Sequence, residues 1–66
     1  MIKLTLKEEL AIYSLGLEPH SRYKGHVICR EGNHSWSVLE PNGNVHHDLN
    51  SLLVARAWVN AVEDYE

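Results

Sequence analysis

Five histidines and one cysteine are the side chains of this 66-residue chain that could bind metal ions or act as nucleophiles. A zinc site needs about three or four converging nitrogen or sulfur ligands. His26, Cys29 and His34 have a loosely compatible spacing, and a hairpin could bring Cys29 close to His34. In an extended strand, however, His26 and Cys29 point to opposite faces because successive side chains alternate. We therefore predict no metal and no other cofactor, and keep these three residues as the alternative ligand set.

A nucleophilic site is the second chemistry to consider. Cys29, His34 and Asp48 could form a catalytic triad if the fold brought them together. Such a site also requires an activated thiolate, a pocket and donors for an oxyanion. Neither a helix N-terminus nor a glycine-rich loop adjoins Cys29 in the sequence. We therefore predict no catalytic residue here and interpret Cys29 as a small buried apolar side chain.

The first element that could position these residues is a helix over about residues 5–15. Thr5 and Glu8 have the spacing of a capping box, and Leu6, Leu10, Tyr13 and Leu17 recur on one helical face. Gly16 is a typical residue just beyond a helix end, and a proline follows three residues later. The alternation of residues 2–6 also permits a short strand before the helix.

The middle of the chain predicts a meander of two or three antiparallel strands. Residues 18–22 are interpreted as a polar connection, and one strand is expected from Tyr23 to Arg30. A second strand from His34 to Glu40 would place Trp36 and Val38 on one face and Ser37 and Leu39 on the other. The Pro41-Asn42-Gly43 segment predicts a turn, after which residues 45–47 could add a brief third strand.

The last segment predicts a helix that ends near Glu63, capped by Asp48, Asn50 or Ser51. Its apolar residues cover about 220° of the circumference at 100° per residue, whereas a surface helix needs an apolar stripe of about 100°. Leu49 and Leu53 extend into the remaining polar stripe. The predicted fold is a single α+β domain over residues 1–66, with an N-terminal helix, the sheet, and a C-terminal helix packed on the sheet.

The surplus of apolar helix surface predicts a protein-binding site next to the densest acidic cluster. The expected contact residues lie on the C-terminal helix and the segment that follows it: Trp58, Ala57, Ala61, Val62, Glu63, Asp64, Tyr65 and Glu66. An aromatic anchor with a charged rim is the usual composition of an interface hot spot. A chain near 60 residues buries only about 60% of its unfolded surface, so a homodimer or hetero-complex would add to its stability.

The Gly32-Asn33-His34 segment resembles the Gly-Ser/Thr-His motif of HicA-type toxins, which are small α-β-β-β-α proteins with a double-stranded-RNA-binding-like fold. The order of predicted elements is similar over most of the chain. Asn33 replaces the hydroxyl residue of the motif. The resemblance implies an RNA-cleaving toxin of a toxin–antitoxin pair with His34 as the catalytic residue, and this is our alternative function.

Charge and composition favour a binding protein without catalysis. The chain has six Lys or Arg against nine Asp or Glu, a net charge of −3. Direct nucleic-acid binding is disfavoured because the basic residues are few and scattered. A lone cysteine, no apolar run of about 18 residues and no signal peptide favour the cytoplasm, which is the host cytoplasm if a phage encodes the chain.

In its small size, acidity and lack of a catalytic constellation the chain is similar to accessory proteins of phages and other mobile elements, anti-CRISPR proteins among them. Many of these proteins inhibit a host machine by binding it. An acidic surface suits a basic protein partner, such as a complex that handles nucleic acid or defends the host. We therefore expect an inhibitor of such a complex.

Overall fold

A capping box begins the first helix, α1, which spans Leu6–Ser14 in the computed structural model. The Thr5 hydroxyl accepts the Glu8 N–H at 3.2 Å, and the Glu8 carboxylate accepts the Thr5 N–H at 2.9 Å. This confirms the predicted helix start. The structure describes residues 2–65, of which residues 2–5 belong to neither a strand nor a helix. The alternative of a short strand at residues 2–6 is therefore wrong.

Four antiparallel strands form one sheet in chain order, β1-β2-β3-β4. They are β1 (Glu18–Tyr23), β2 (His26–Glu31), β3 (Ser35–Leu39) and β4 (Val45–Leu49). The α+β class and the antiparallel sheet are confirmed, whereas the prediction of two or three strands is wrong. The segment interpreted as a polar connection is β1, an edge strand. An edge strand tolerates Pro19 and needs few apolar residues, so hydrophobicity gave no signal for it.

A tight turn at Lys24 and Gly25 separates β1 from β2. Both residues have positive φ angles, of 49° and 79°. Two residues with positive φ are the signature of the turn that joins strands in a short hairpin. The strand predicted from Tyr23 to Arg30 is therefore two strands, and the sequence hid the turn because lysine is uncommon at its first position.

The two helices cover opposite faces of the sheet. Successive residues of β2 show this, because Val27 packs in a cluster with Ile12 of α1, whereas Ile28 packs in a second cluster with Val59 of α2 (Leu52–Tyr65). All four side chains are buried. The Ser51 hydroxyl accepts the Val54 N–H at 3.1 Å and so caps α2, as one of the three predicted caps. The packing of the C-terminal helix on the sheet is confirmed.

Three of the four residues whose spacing identified α1 point away from the sheet, whereas the fourth, Leu17, lies beyond the helix end and is buried in the cluster that contains Ile12. Leu6, Leu10 and Tyr13 are 72%, 62% and 70% exposed. The helix instead packs through Ile12, with Ala11 partly buried beside it. We call Leu6, Leu10 and Tyr13 the α1 outer face.

No helix formed by residues 2–65 is long and apolar enough to cross a membrane.

Candidate protein-binding surface

The inner side of α2 is committed to the core. Ala55 and Val59 are completely buried against Ile28 and Val38. These positions lie on one side of the helix because residues four apart share a face. The opposite side of the helix therefore remains available for contacts outside the sheet.

Trp58, which was predicted as the aromatic anchor of a partner surface, lies at the margin of this packing. It is half-buried and contacts the second core cluster. The His46 ring stacks on its indole with centroids 4.4 Å apart, and the His26 ring meets it edge-on at 6.4 Å. These contacts fix the indole against β2 and β4. Trp58 therefore supports the fold and borders the exposed side of α2.

Four apolar residues line the exposed side of α2. Leu53 is 76% exposed, Val54 is 41% exposed, and Ala57 and Ala61 are also exposed. We call these four residues the α2 outer face. The structure thus exposes the predicted contact residues Ala57 and Ala61 and adds Leu53 and Val54. The signal for Leu53 was present in the sequence as an apolar residue within the expected polar stripe.

An acidic end follows the α2 outer face. Glu63 and Asp64 are exposed, and the last turn within residues 52–65 carries no basic residue. Val62 is half-buried. The remaining predicted contacts, the Tyr65 side chain and Glu66, lie outside what the structure describes. Two carboxylates at a helix C-terminus add to the negative end of its dipole, so this end of α2 attracts cations.

One flank of α2 is covered by polar contacts with the hairpin that β1 and β2 form. The Asn60 side-chain oxygen accepts hydrogen bonds from the Tyr23 hydroxyl at 3.0 Å and from the Lys24 ammonium at 2.6 Å. The Arg56 guanidinium lies 5.9 Å from the centre of the Tyr23 ring. These groups anchor the helix to β1 and to the turn that follows it, and they limit the exposed apolar surface to the α2 outer face.

The fold separates the alternative metal ligands His26, Cys29 and His34, and it buries the one thiol. Cys29 is completely buried between the sheet and α1, where burial raises the pKa of its thiol to about 11. His26 lies on the opposite face beside Trp58, and His34 is exposed in the β2–β3 turn. Among residues 2–65 no group of three or more His, Cys, Asp or Glu side chains is placed to hold a metal ion. An inaccessible thiol with a raised pKa is a poor nucleophile.

Three polar residues on adjacent strands do come together, although sequence analysis missed them. The Ser37 hydroxyl donates to the Glu31 carboxylate at 2.5 Å, and Nδ1 of His47 lies 3.0 Å from the same oxygen. These contacts lower the pKa of Glu31, the Ser37 hydrogen bond contributing most. A serine nucleophile must be accessible and must give its proton to the histidine. The Ser37 oxygen also lies 3.3 Å from Nδ1 of His47, but Ser37 is completely buried and makes its shorter bond to the carboxylate. We therefore interpret this cluster as one that satisfies polar groups within the sheet.

A shallow groove of about 370 Å³ lies between α1 and the β3–β4 turn. Ala11 and Leu39 contribute its apolar lining, and Lys7 and Glu40 place opposite charges at its edge. The carboxylate of Glu8, which also lines it, is held by Arg22 at 2.6 Å. The groove therefore offers no converging set of polar groups of the kind that orients a small-molecule ligand.

Comparison of the chain with models of protein families, with curated proteins and with solved structures gives no match in any of the three.

Proposed function

We propose that the protein is a small, non-enzymatic protein-binding modulator that acts through the α2 outer face and the acidic end of that helix. The exposure of Leu53, Val54, Ala57 and Ala61 carries this proposal. Burying a fully exposed leucine side chain contributes about 2 kcal/mol. Burial of the α2 outer face can therefore slow the dissociation of a complex.

The charge of the chain supports a basic partner. The net charge is −3, and Glu63 and Asp64 follow Ala61 after one intervening residue, Val62. Opposite charges accelerate the encounter of two proteins, and apolar contacts then slow their separation. We propose that the partner is a basic complex that handles nucleic acid or defends a host cell, and that binding inhibits it.

An alanine-to-glutamate substitution tests the contact surface. Ala57→Glu places a charge in the middle of the α2 outer face without touching the buried side of α2, so the variant should remain folded by circular dichroism. We expect its affinity for a target, first identified by capture from a bacterial lysate and then purified, to fall at least tenfold. Asn33→Glu, which adds the same charge at an exposed turn residue, is the matched control. Wild-type affinity of Ala57→Glu for the purified target would exclude the α2 outer face.

The acidic end is tested separately by binding kinetics. The double variant Glu63→Gln, Asp64→Asn should associate more slowly and lose salt dependence, while its dissociation rate stays close to that of the wild type. Trp58→Ala should weaken the fold itself, because the indole packs on His46 and the second core cluster. An association rate that responds neither to salt nor to the loss of both acids would contradict the electrostatic part of the proposal.

A further inference from the structure

The α1 outer face is a second unpartnered apolar surface, independent of the proposed function. At about 100° per residue, Leu6, Leu10 and Tyr13 fall within an arc of about 60°. Ile12, the buried residue of α1, lies on the other side of the helix at 1% exposure. Because α1 and α2 cover opposite faces of the sheet, this surface is separated from the α2 outer face by the whole thickness of the molecule.

We propose that the α1 outer face pairs with the α1 outer face of a second copy of this chain, with the two helices antiparallel and Leu10 on the two-fold axis. In that arrangement Leu10 meets its own counterpart. With residue 10 on the axis of an antiparallel pair, residue n of one helix lies level with about residue 20 − n of the other. Each Leu6 therefore lies beside Tyr13 of the second copy. Leucine against leucine and leucine against an aromatic ring are favourable apolar contacts.

Charge complementarity favours this occupant and this direction. Lys7 stands at the edge of the α1 outer face in the N-terminal half of the helix, where the helix dipole disfavours a cation. The last turn of α1, within residues 11–14, carries no basic residue of its own. Antiparallel pairing brings each Lys7 beside Ser14 of the second copy, at the negative end of that helix. A parallel pair would instead place both lysines at the same positive end.

The size of the contact predicts a weak dimer. α1 has nine residues and is therefore about 13 Å long. A contact between two helices of that length buries less than the roughly 800 Å² per partner that is typical of a stable interface. We expect a dissociation constant of about 10⁻⁴ M, with rapid exchange between monomer and dimer.

Sedimentation equilibrium between 10 μM and 1 mM tests the dimer. The wild-type mass should rise towards that of two chains, whereas Leu10→Glu, which places two carboxylates on the axis, should remain monomeric. Leu53→Glu makes the same chemical change on the α2 outer face and should dimerise like the wild type. The two variants separate this proposal from the proposed function, because Leu53→Glu should lose target binding and Leu10→Glu should keep it. A monomeric wild type at 1 mM, or dimerisation lost in Leu53→Glu alone, would overturn the inference.

Cysteine cross-linking tests the two-fold axis directly. Leu10→Cys should form an intermolecular disulfide on mild oxidation, because residue 10 meets itself in the dimer. Asn33→Cys is the control, because residue 33 is also exposed and lies in the β2–β3 turn outside α1. The native Cys29 is buried and stays reduced in both variants. Cross-linking of Leu10→Cys at least tenfold faster than Asn33→Cys supports the axis, and equal rates would overturn it.

Discussion

The ion pair between Arg22 and Glu8 makes the stability of the protein depend on pH in the acid range. Arg22 donates to both carboxylate oxygens of Glu8, at 3.0 Å and 2.6 Å, and also to the Lys3 carbonyl at 2.9 Å. These bonds tie β1 to the start of α1. The Arg22 hydrogen bonds, followed by the Thr5 backbone bond, lower the pKa of Glu8 from 4.5 to about 2.

The magnitude follows from this shift after allowance for solvent. At about 1.4 kcal/mol per pKa unit, a lowering of the Glu8 pKa by about 2.5 corresponds to at most about 3.4 kcal/mol. The Arg22 side chain is 38% exposed and the Glu8 side chain 17%, so water screens the pair. We expect a net contribution of about 1 kcal/mol. Because the folded-state pKa is depressed, this contribution is fully present above pH 4.5 and is lost as the pH falls towards 2.

The variant Glu8→Gln tests this reasoning by urea unfolding, followed by tryptophan fluorescence, between pH 7 and pH 2. Glutamine still accepts the Thr5 N–H, so the capping box is kept while the charge is removed. At pH 7 the variant should be about 1 kcal/mol less stable than the wild type, and the difference should vanish near pH 2. Glu9→Gln on the same helical turn is the control. A difference that stays constant down to pH 2 would refute the assignment to the ionised carboxylate.

Three further predictions concern the core, the thiol and the turn histidine. Val59→Ala, at a completely buried site of α2, should cost about 2 kcal/mol of unfolding free energy, whereas Val54→Ala on the α2 outer face should cost less than about 0.5 kcal/mol. The Cys29 thiol should resist a disulfide reagent at pH 8 in the native protein and react in denaturant; rapid native labelling would contradict its burial. Purified protein should leave RNA intact and bacteria should tolerate its expression, while growth arrest that His34→Ala relieves would favour the HicA-like alternative.

The sequence predicted the elements with strong local signals. The capping box of α1 and the serine cap of α2 are side-chain-to-backbone bonds within three residues, so they can be read without knowledge of the fold. The faces of β3 also followed from simple alternation: Ser37 pairs with Cys29 and Val38 with Ile28, as two opposite faces require. Such features depend on neighbours in the chain alone.

The features that the sequence did not predict depend on tertiary contacts. β1 is polar because it lies at the sheet edge, and its pairing with β2 is interrupted by a bulge near His20. The Glu31–Ser37–His47 cluster joins residues of three strands, and only the register of β2, β3 and β4 brings them together. Nothing in the local spacing of these residues specifies that register.

The apolar pattern of α1 does not show which side of the helix packs on the sheet. The periodicity of Leu6, Leu10 and Tyr13 shows that the helix is amphipathic, but it does not say whether the apolar side meets this chain or another one. The short helix covers Val27 and Cys29 with Ile12 and Ala11 alone. The same ambiguity applies to α2, where the apolar surplus was visible in the sequence but its division between core and outer face was not.

If both proposed contacts form, their geometry limits the size of the assembly. The α1 contact is isologous and uses up the α1 outer face of both copies, so it closes at two. Because α2 covers the opposite face of the sheet, its outer face remains open at both ends of the dimer. Each end then takes one target molecule. The expected assembly is two copies of this protein with two target molecules, and it cannot grow further through these surfaces.

This stoichiometry should depend on concentration in a defined way. Light scattering of the mixture should show one copy of each protein at about 10 μM and two of each near 1 mM, because the expected dissociation constant of the α1 contact is about 10⁻⁴ M. Leu10→Glu should stop at one copy of each at every concentration, and Leu53→Glu should form the free dimer without target. Mass that grows beyond two of each would indicate that the α1 outer face of one copy packs on the α2 outer face of the next. Such a heterologous contact does not close, and it would replace the two-fold arrangement argued above.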